Sequence, residues 1–162
     1  MNGTIWKEIC SICTLMIVGE PATMHIRPYQ IADQAAIIEL WQLCELTRPW
    51  NDAGLDIQRK LAVNREWFLV GELQGQIISS AMFGYEGHRG WVNYLAVHPE
   101  HQRQGYARAM MARGEQLLLS AGCPKINLQV RSSNTQALAF YARLGYGVDE
   151  VVSLGKRLIQ DG

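Results

Sequence analysis

The change of hydrophobic period between residues 91 and 130 constrains this chain more than any other feature. Trp91 to Val97 reads as a strand, stopped by His98-Pro99. Beyond Gly105, the residues Ala107, Met110, Met111, Gly114, Leu118 and Ala121 fall at helical spacing, and Gly122 with Pro124 supplies the stop. Lys125 to Val130 is again a strand. Two strands joined through a full helix run parallel, by the crossover rule. Upstream the connections are short. Glu66–Leu73 turns at Leu73-Gln74-Gly75-Gln76 into Ile77–Tyr85, which passes through the loop Glu86–Gly90 into the strand at Trp91. Those strands are expected to be antiparallel. The chain is therefore expected to be α/β in class, an α+β arrangement around one mixed sheet.

The remaining elements fit around that sheet. Met24–Pro28 reads as an edge strand ended by proline. Ile31, Ala35, Ile38, Trp41 and Leu46 mark an amphipathic helix, and Thr47–Gly54 a loop. A second helix is expected from Asp56, as cap, to Asn64. Ser132-Ser133-Asn134 offers caps for a helix carrying Ala137, Phe140, Tyr141 and Leu144 and closed by Gly145, and Tyr146–Leu154 reads as a last strand. We expect one domain over residues 24–162, preceded by an amino-terminal extension, residues 1–23. The apolar run Ile9–Val18 in that extension also reads as a signal-peptide core. Against this, Lys7 is cancelled by Glu8, and residues 19–23 make a poor cleavage site.

Charge narrows the function classes. Lys+Arg and Asp+Glu are both 15, for a formal net charge of zero. That argues against a nucleic-acid binder and gives no polybasic surface for a membrane. No apolar run nears the roughly 20 residues that span a bilayer. Cys10 and Cys13 form a lone C-x-x-C without a second ligand pair, and His25, His88, His98 and His101 lack ligand spacing, so no metal is expected. With Cys44 and Cys123, the cysteines read as small apolar side chains in a reducing, cytoplasmic setting. A homodimer is left open.

The chemistry-bearing segment is Gln102-Arg103-Gln104-Gly105-Tyr106-Ala107, where strand passes through loop into helix. Gly105 lets a ligand approach the main chain, and the first helical amides point outward at the positive end of the helix dipole. Together they suit a diphosphate. Arg103 either adds charge to that contact or is a surface arginine. The segment is neither G-x-x-x-x-G-K-[ST] nor G-x-G-x-x-G, and no G-x-S-x-G elbow occurs.

Leu95-Ala96-Val97-His98-Pro99 followed by Gln102-x-x-Gly105-x-Ala107 resembles motif A of the GNAT N-acetyltransferase superfamily. Val130-Arg131-Ser132-Ser133-Asn134-x-x-Ala137-x-x-Phe140-Tyr141-x-x-Leu144-Gly145-Tyr146 resembles its motif B. The resemblance spans Met24 to about Leu158. Ala107 stands where glycine is also common. Arg48-Pro49-Trp50-Asn51-Asp52, Gly84–Gly90 and Ser153–Leu158 are similar to the bacterial YpeA-type acetyltransferases. Arg131–Asn134 is also similar to ribosomal-protein alanine acetyltransferases.

The resemblance implies the GNAT acyl-CoA N-acyltransferase fold, with the fourth and fifth strands splayed. It implies acetyl-coenzyme A as donor and a primary amine as acceptor, either a small amine or a protein amino terminus. The pantetheine arm would pair with Leu95, Ala96 and Val97 as a false strand. A main-chain amide near Leu95 would stabilise the thioester oxygen, worth about 3 kcal/mol at such sites. The family places a tyrosine near the sulfur at Tyr141, whose phenol, with a pKa of about 10 against about 8.5 for a thiol, stays protonated and can donate. Otherwise Tyr141 belongs to the apolar stripe of its helix. Asn134 bonds the pantetheine, caps the helix, or does both. The base is Glu86, His88, Tyr94 or a water. Arg48, Trp50, Asn51 and Asp52, with Tyr94, would wall the acceptor side, unless Trp50 plugs the core. Direct transfer without an acetyl-enzyme is expected. Two rival readings are a non-catalytic acyl-coenzyme A sensor and an interaction domain docking through Ile9–Val18.

Overall fold

The computed structural model describes residues 23–161; Cys10, Cys13 and the run Ile9–Val18 lie outside the described residues. Among the described residues the sheet has five strands in chain order. They are β1 (His25–Pro28), β2 (Phe68–Leu73), β3 (Gln76–Tyr85), β4 (Gly90–Val97) and β5 (Ile126–Leu128). The first three pairings are antiparallel and β4–β5 is parallel, as the lengths of the connections require. The helices are α1 (Gln34–Leu43), α2 (Ala53–Leu61), α3 (Tyr106–Ser120) and α4 (Thr135–Arg143).

Alternation along the strands divides the core into two layers. Phe68, Val70 and Met82 face Trp41, Ile37 and Ile57 of α1 and α2, while Leu69, Ile78 and Phe83 face Met110, Met111 and Leu118 of α3. Trp41 is fully buried, and its indole N–H donates to Ser80 Oγ at 2.9 Å, which satisfies the one polar atom it takes inside. On the other face Gly114 brings α3 against β3. A Cβ there would lie 2.0 Å from the Phe83 ring, so only glycine permits this approach. Beside β1, Arg27 makes a two-pronged pair with Asp33 (2.7 and 3.0 Å) and reaches Glu72 on β2 (3.0 Å), while Gln30 N–H donates to Asp33 at 2.7 Å. The cluster ties the first strand pair to the approach to α1.

Several expected boundaries move. Helix α2 starts at Ala53, because Asp52, not Asp56, is its cap: Asp52 Oδ1 accepts from Leu55 N–H at 2.8 Å. Strand β5 is shorter than Lys125–Val130. The expected last strand, Tyr146–Leu154, is not one; this segment lies outside the ladder, with Val148 and Leu154 each 90% exposed. Its β-prone residues are present, but a strand needs a pairing edge and none is in contact with it. Among the described residues no helix is long and apolar enough to cross a membrane.

Candidate active site

The turn from β4 into α3 holds six of the residues singled out above. Pro99–His101 forms a 3-10 turn, after which Arg103 (φ 63) and Gly105 (φ 91) both take left-handed conformations. Such successive turns point consecutive N–H groups the same way, a concavity suited to anions. None of the amides from Arg103 to Ala107 donates to another group among the described residues. A Cβ on Gly105 would meet nothing within 4 Å, so the space above these amides is open. Gln102 and Gln104 brace the loop from outside: Gln102 Nε2 donates to Val97 O (3.1 Å) and Gln104 Nε2 to Glu100 O (3.2 Å). Arg103 is exposed and makes no side-chain hydrogen bond among the described residues. These groups fit a diphosphate.

Strand β4 leads into that turn with a free edge. It pairs with β5 only through Gly90, Trp91 and Val92. From Asn93 to Val97 the side toward β5 has no strand partner among the described residues, so Leu95, Ala96 and Val97 lie along an open edge. A bulge sits at the parting point. Asn93 faces Met82 and Ala96 faces Ser80, so three steps on β4 match two on β3, and Tyr94 takes φ 52. A bulge re-aims main-chain groups, and a non-glycine residue held left-handed is a strain that neighbours must impose.

Those neighbours are visible. The Tyr94 ring stacks on Trp41 at 4.0 Å, its carbonyl accepts from Ser80 Oγ (3.2 Å), and its phenol donates to Asp56 Oδ2 at 2.6 Å. Burial, reinforced by the Asp56 carboxylate, pushes the Tyr94 phenol up to about 12. Asn51 Nδ2 lies 3.4 Å from the same Asp56 oxygen. Asp56 is the residue the sequence reading missed at this site; its position reads equally as a helix cap, and Tyr94 is 38 residues away.

The loop carrying Arg48, Trp50, Asn51 and Asp52 is held by the chain's end. Arg157 donates to Trp50 O (2.9 Å) and Asn51 Oδ1 (3.0 Å). Asp161 accepts from Arg59 (2.5 and 3.0 Å) and from Asp52 N–H (3.3 Å), and these bonds hold its carboxyl down at about 2. Trp50 is 53% exposed and so is not a core plug. Arg48 folds back onto Glu45 O (2.7 Å) and Thr47 O (2.8 Å). A hollow of about 270 Å³ opens between Pro49, Trp50, Arg157, Gln160 and Asp161.

Across the sheet, Tyr141 packs on the α3 side beside Phe140 (ring centroids 5.0 Å) and Tyr146 (5.6 Å), in the apolar cluster that Leu95 also joins. Burial alone lifts its phenol to about 12. Asn134 caps α4, its Oδ1 accepting from Ala137 N–H at 3.0 Å. Glu86 and His88 stand apart, in the exposed loop before Gly90. At about 3.3 Å per residue β4 separates that loop from Leu95 by on the order of 15 Å. Glu86 accepts from the amides of Arg89 (2.8 Å) and His88 (2.7 Å), which hold its carboxyl below the ordinary range. The structure thus gathers the turn at 102–107, the open edge and Tyr141 on one side of β4, and Tyr94 with Asn51 on the other.

Residues 35–146 match the Acetyltransferase (GNAT) family. The chain belongs to this family and is an acyltransferase. An acetyltransferase of Yersinia enterocolitica is 46% identical over 138 residues, covering 85% of this chain and 98% of the relative. One of Sodalis glossinidius is 47% identical over 139 residues, with the same coverage, 85% and 98%. Among solved structures, the aminoglycoside N-acetyltransferase AAC(6')-Iy in complex with CoA shares the fold at TM-score 0.70 and 17% identity, covering 88% of this chain and 100% of that one.

Proposed function

We propose that this acetyltransferase, through the domain of residues 24–162, moves an acetyl group directly from acetyl-coenzyme A to a primary amine, on a small molecule or a protein amino terminus. The observation that carries the reading is the continuity of two unsatisfied main-chain surfaces. The free amides of Arg103 to Ala107 suit a diphosphate, and the open edge at Leu95–Val97 suits the amide-bearing arm attached to it. No metal is needed for this transfer; the driving force resides in the thioester.

Each side chain has a defined task. A β4 amide near Leu95 stabilises negative charge gathering on the thioester oxygen. Tyr141, kept protonated by burial, donates to the departing sulfur. On the acceptor side, Tyr94 is the favoured proton acceptor: as its phenol oxygen takes a proton from the amine, its own O–H proton passes to Asp56 across the 2.6 Å hydrogen bond. Glu86 and His88 serve only through water, given their distance along β4. Trp50, Asn51 and Asp52 wall the acceptor side, positioned by Arg157 and Asp161. Among the described residues, Cys44 and Cys123 are free thiols.

The test couples calorimetry with coenzyme A to a thiol-release assay against amines and peptides. Binding and amine-dependent release are expected. Absence of coenzyme A binding would refute the reading, and binding without turnover on any acceptor would favour a sensor.

A further inference from the structure

Helix α4 carries Tyr141, yet none of its residues is fully buried. The Tyr141 phenol has no hydrogen-bond partner of its own among the described residues, so its place is set by whatever holds the helix. The carboxyl end of α4 closes on itself. Gly145 turns left-handed at φ 90, its N–H donates to Ala142 O (3.0 Å), and Tyr146 N–H donates to Tyr141 O (3.1 Å). A closure of this kind packs the second residue beyond the helix cap against the residue it bonds back to. Those two residues are Tyr146 and Tyr141, and their rings meet edge to face at 5.6 Å.

Tyr146 reaches further. Its O–H donates to Glu115 Oε1 on α3 at 2.8 Å. Among the described residues this is the one hydrogen bond from residues 131–147 to another element; the others made there stay within the segment. The remaining hold is apolar packing of Phe140, Tyr141, Leu144 and Tyr146, which has no preferred direction. Packing alone leaves Tyr146 free to slide along α3, whereas a hydrogen bond, with its preferred length and angle, selects one position. Glu115 is half-buried and follows Gly114, the point at which α3 is sunk against Phe83. The bond is therefore anchored on the least movable turn of that helix. Burial and the Glu115 carboxylate hold the Tyr146 phenol above its ordinary range, so the donor proton stays on the oxygen.

We propose that Glu115 is a positioning residue for acyl transfer: through Tyr146 it fixes where the Tyr141 phenol meets the departing sulfur, on the reading above in which Tyr141 donates to that atom. The path runs from Phe83 in the sheet, through α3 at Glu115, to Tyr146 and then to Tyr141. Neither Glu115 nor Tyr146 has to touch the reacting atoms. About 1 Å of misplacement at a reacting group can cost on the order of 100-fold in rate, which is what such a tether guards against.

A mutant cycle on the full chain tests this, read by thiol release from acetyl-coenzyme A with the best amine of the screen above as acceptor. Tyr146→Phe keeps the ring and loses only the tether. It and Glu115→Ala should each lower kcat roughly 10-fold, with the KM for acetyl-coenzyme A within about twofold of wild type. Glu115→Gln keeps a carbonyl oxygen that accepts from the phenol and should retain about half or more of wild-type kcat. In a Tyr141→Phe background, neither Tyr146→Phe nor Glu115→Ala should lower kcat by more than about a further twofold, because the group they position is gone. Hydrogen exchange on the free protein needs no acceptor: Tyr146→Phe should speed exchange across residues 135–143 roughly 10-fold and leave residues 106–120 unchanged. Losses that multiply with that of Tyr141→Phe, a Glu115→Gln variant as slow as Glu115→Ala, or unchanged exchange in Tyr146→Phe would each overturn the positioning role while Tyr141 keeps its own. A Tyr141→Phe variant with wild-type kcat would end the donor role itself, and the proposal with it.

Discussion

Gly105→Ala separates the anion cradle from the stability of the fold. Gly105 has φ +91 and Gly122 has φ +78, and at both a Cβ would meet nothing within 4 Å. Alanine at either site therefore adds only the left-handed backbone penalty, about 1–2 kcal/mol. For a domain of this size each kcal/mol lowers Tm by about 2–4 °C. At position 105 alone the new methyl group enters the space above the free amides. Displacing one hydrogen bond to a charged group costs about 1.5–3 kcal/mol, a rise in Kd of roughly 10- to 150-fold. Calorimetry with coenzyme A and thermal melts on both variants give the comparison. Equal melting losses with weakened binding only in Gly105→Ala are expected. Coenzyme A affinity within threefold of wild type in Gly105→Ala, or an equal loss in Gly122→Ala, would refute the reasoning.

Gly114→Ala drives a methyl group into the Phe83 ring 2.0 Å away, so denaturant unfolding should show a loss of about 1–3 kcal/mol or more; a loss under about 0.5 kcal/mol would contradict the packing. Tyr141→Phe should lower kcat about 100-fold with the KM for acetyl-coenzyme A unchanged, and because the phenol is pushed up to about 12 the wild type should show no alkaline decline from this group below about pH 11. An alkaline limb near pH 9 that vanishes in the variant would count against its protonated role. At Asp33 burial would raise the carboxyl, but the Arg27 pair and the Gln30 amide outweigh it and leave the folded pKa below 3.8. A depressed folded pKa stabilises above the unfolded value and is lost as pH falls through the folded one. Asp33→Asn should therefore melt lower at pH 7 yet lose less further stability than wild type below about pH 4; parallel acid-side slopes would contradict this.

What the sequence disclosed was mostly local. The turn at 102–107 could be read because the strand stop at His98-Pro99, Gly105 and the first residue of the helical period, Ala107, lie within one short stretch, and the parallel β4–β5 pair follows from the length of its connection. Leu95 to Val97 were legible as a strand, and Tyr94 stands among them as an ordinary strand residue. Its left-handed φ was not legible, since Trp41, Ser80 and Asp56 impose it from three other elements. Arg103 is alike: nothing about arginine announces φ 63. The boundary of α2 moved because Asp52 and Asp56 are equally good caps by composition, and only the fold decides which one meets an amide and which one meets a phenol. The tail at Tyr146–Leu154 has strand-like residues, but strand formation depends on an available edge as well as on composition.

The contact between Gly114 and Phe83 has a mechanical consequence. Helix α3 begins at the cradle, and midway along its length it is sunk into the sheet so that sliding or rolling would drive its backbone through an aromatic ring. The anion end is therefore a rigid fixture, assembled before any ligand arrives, and capture there demands little ordering of the chain. The opposite wall is fixed differently, by surface hydrogen bonds from Arg157 to Trp50 and Asn51 and from Arg59 to Asp161. On the proposed reading the two substrates would then meet separate parts of the molecule, so substitutions in the Arg48–Asp52 loop would alter which amines are accepted without disturbing how the donor is held.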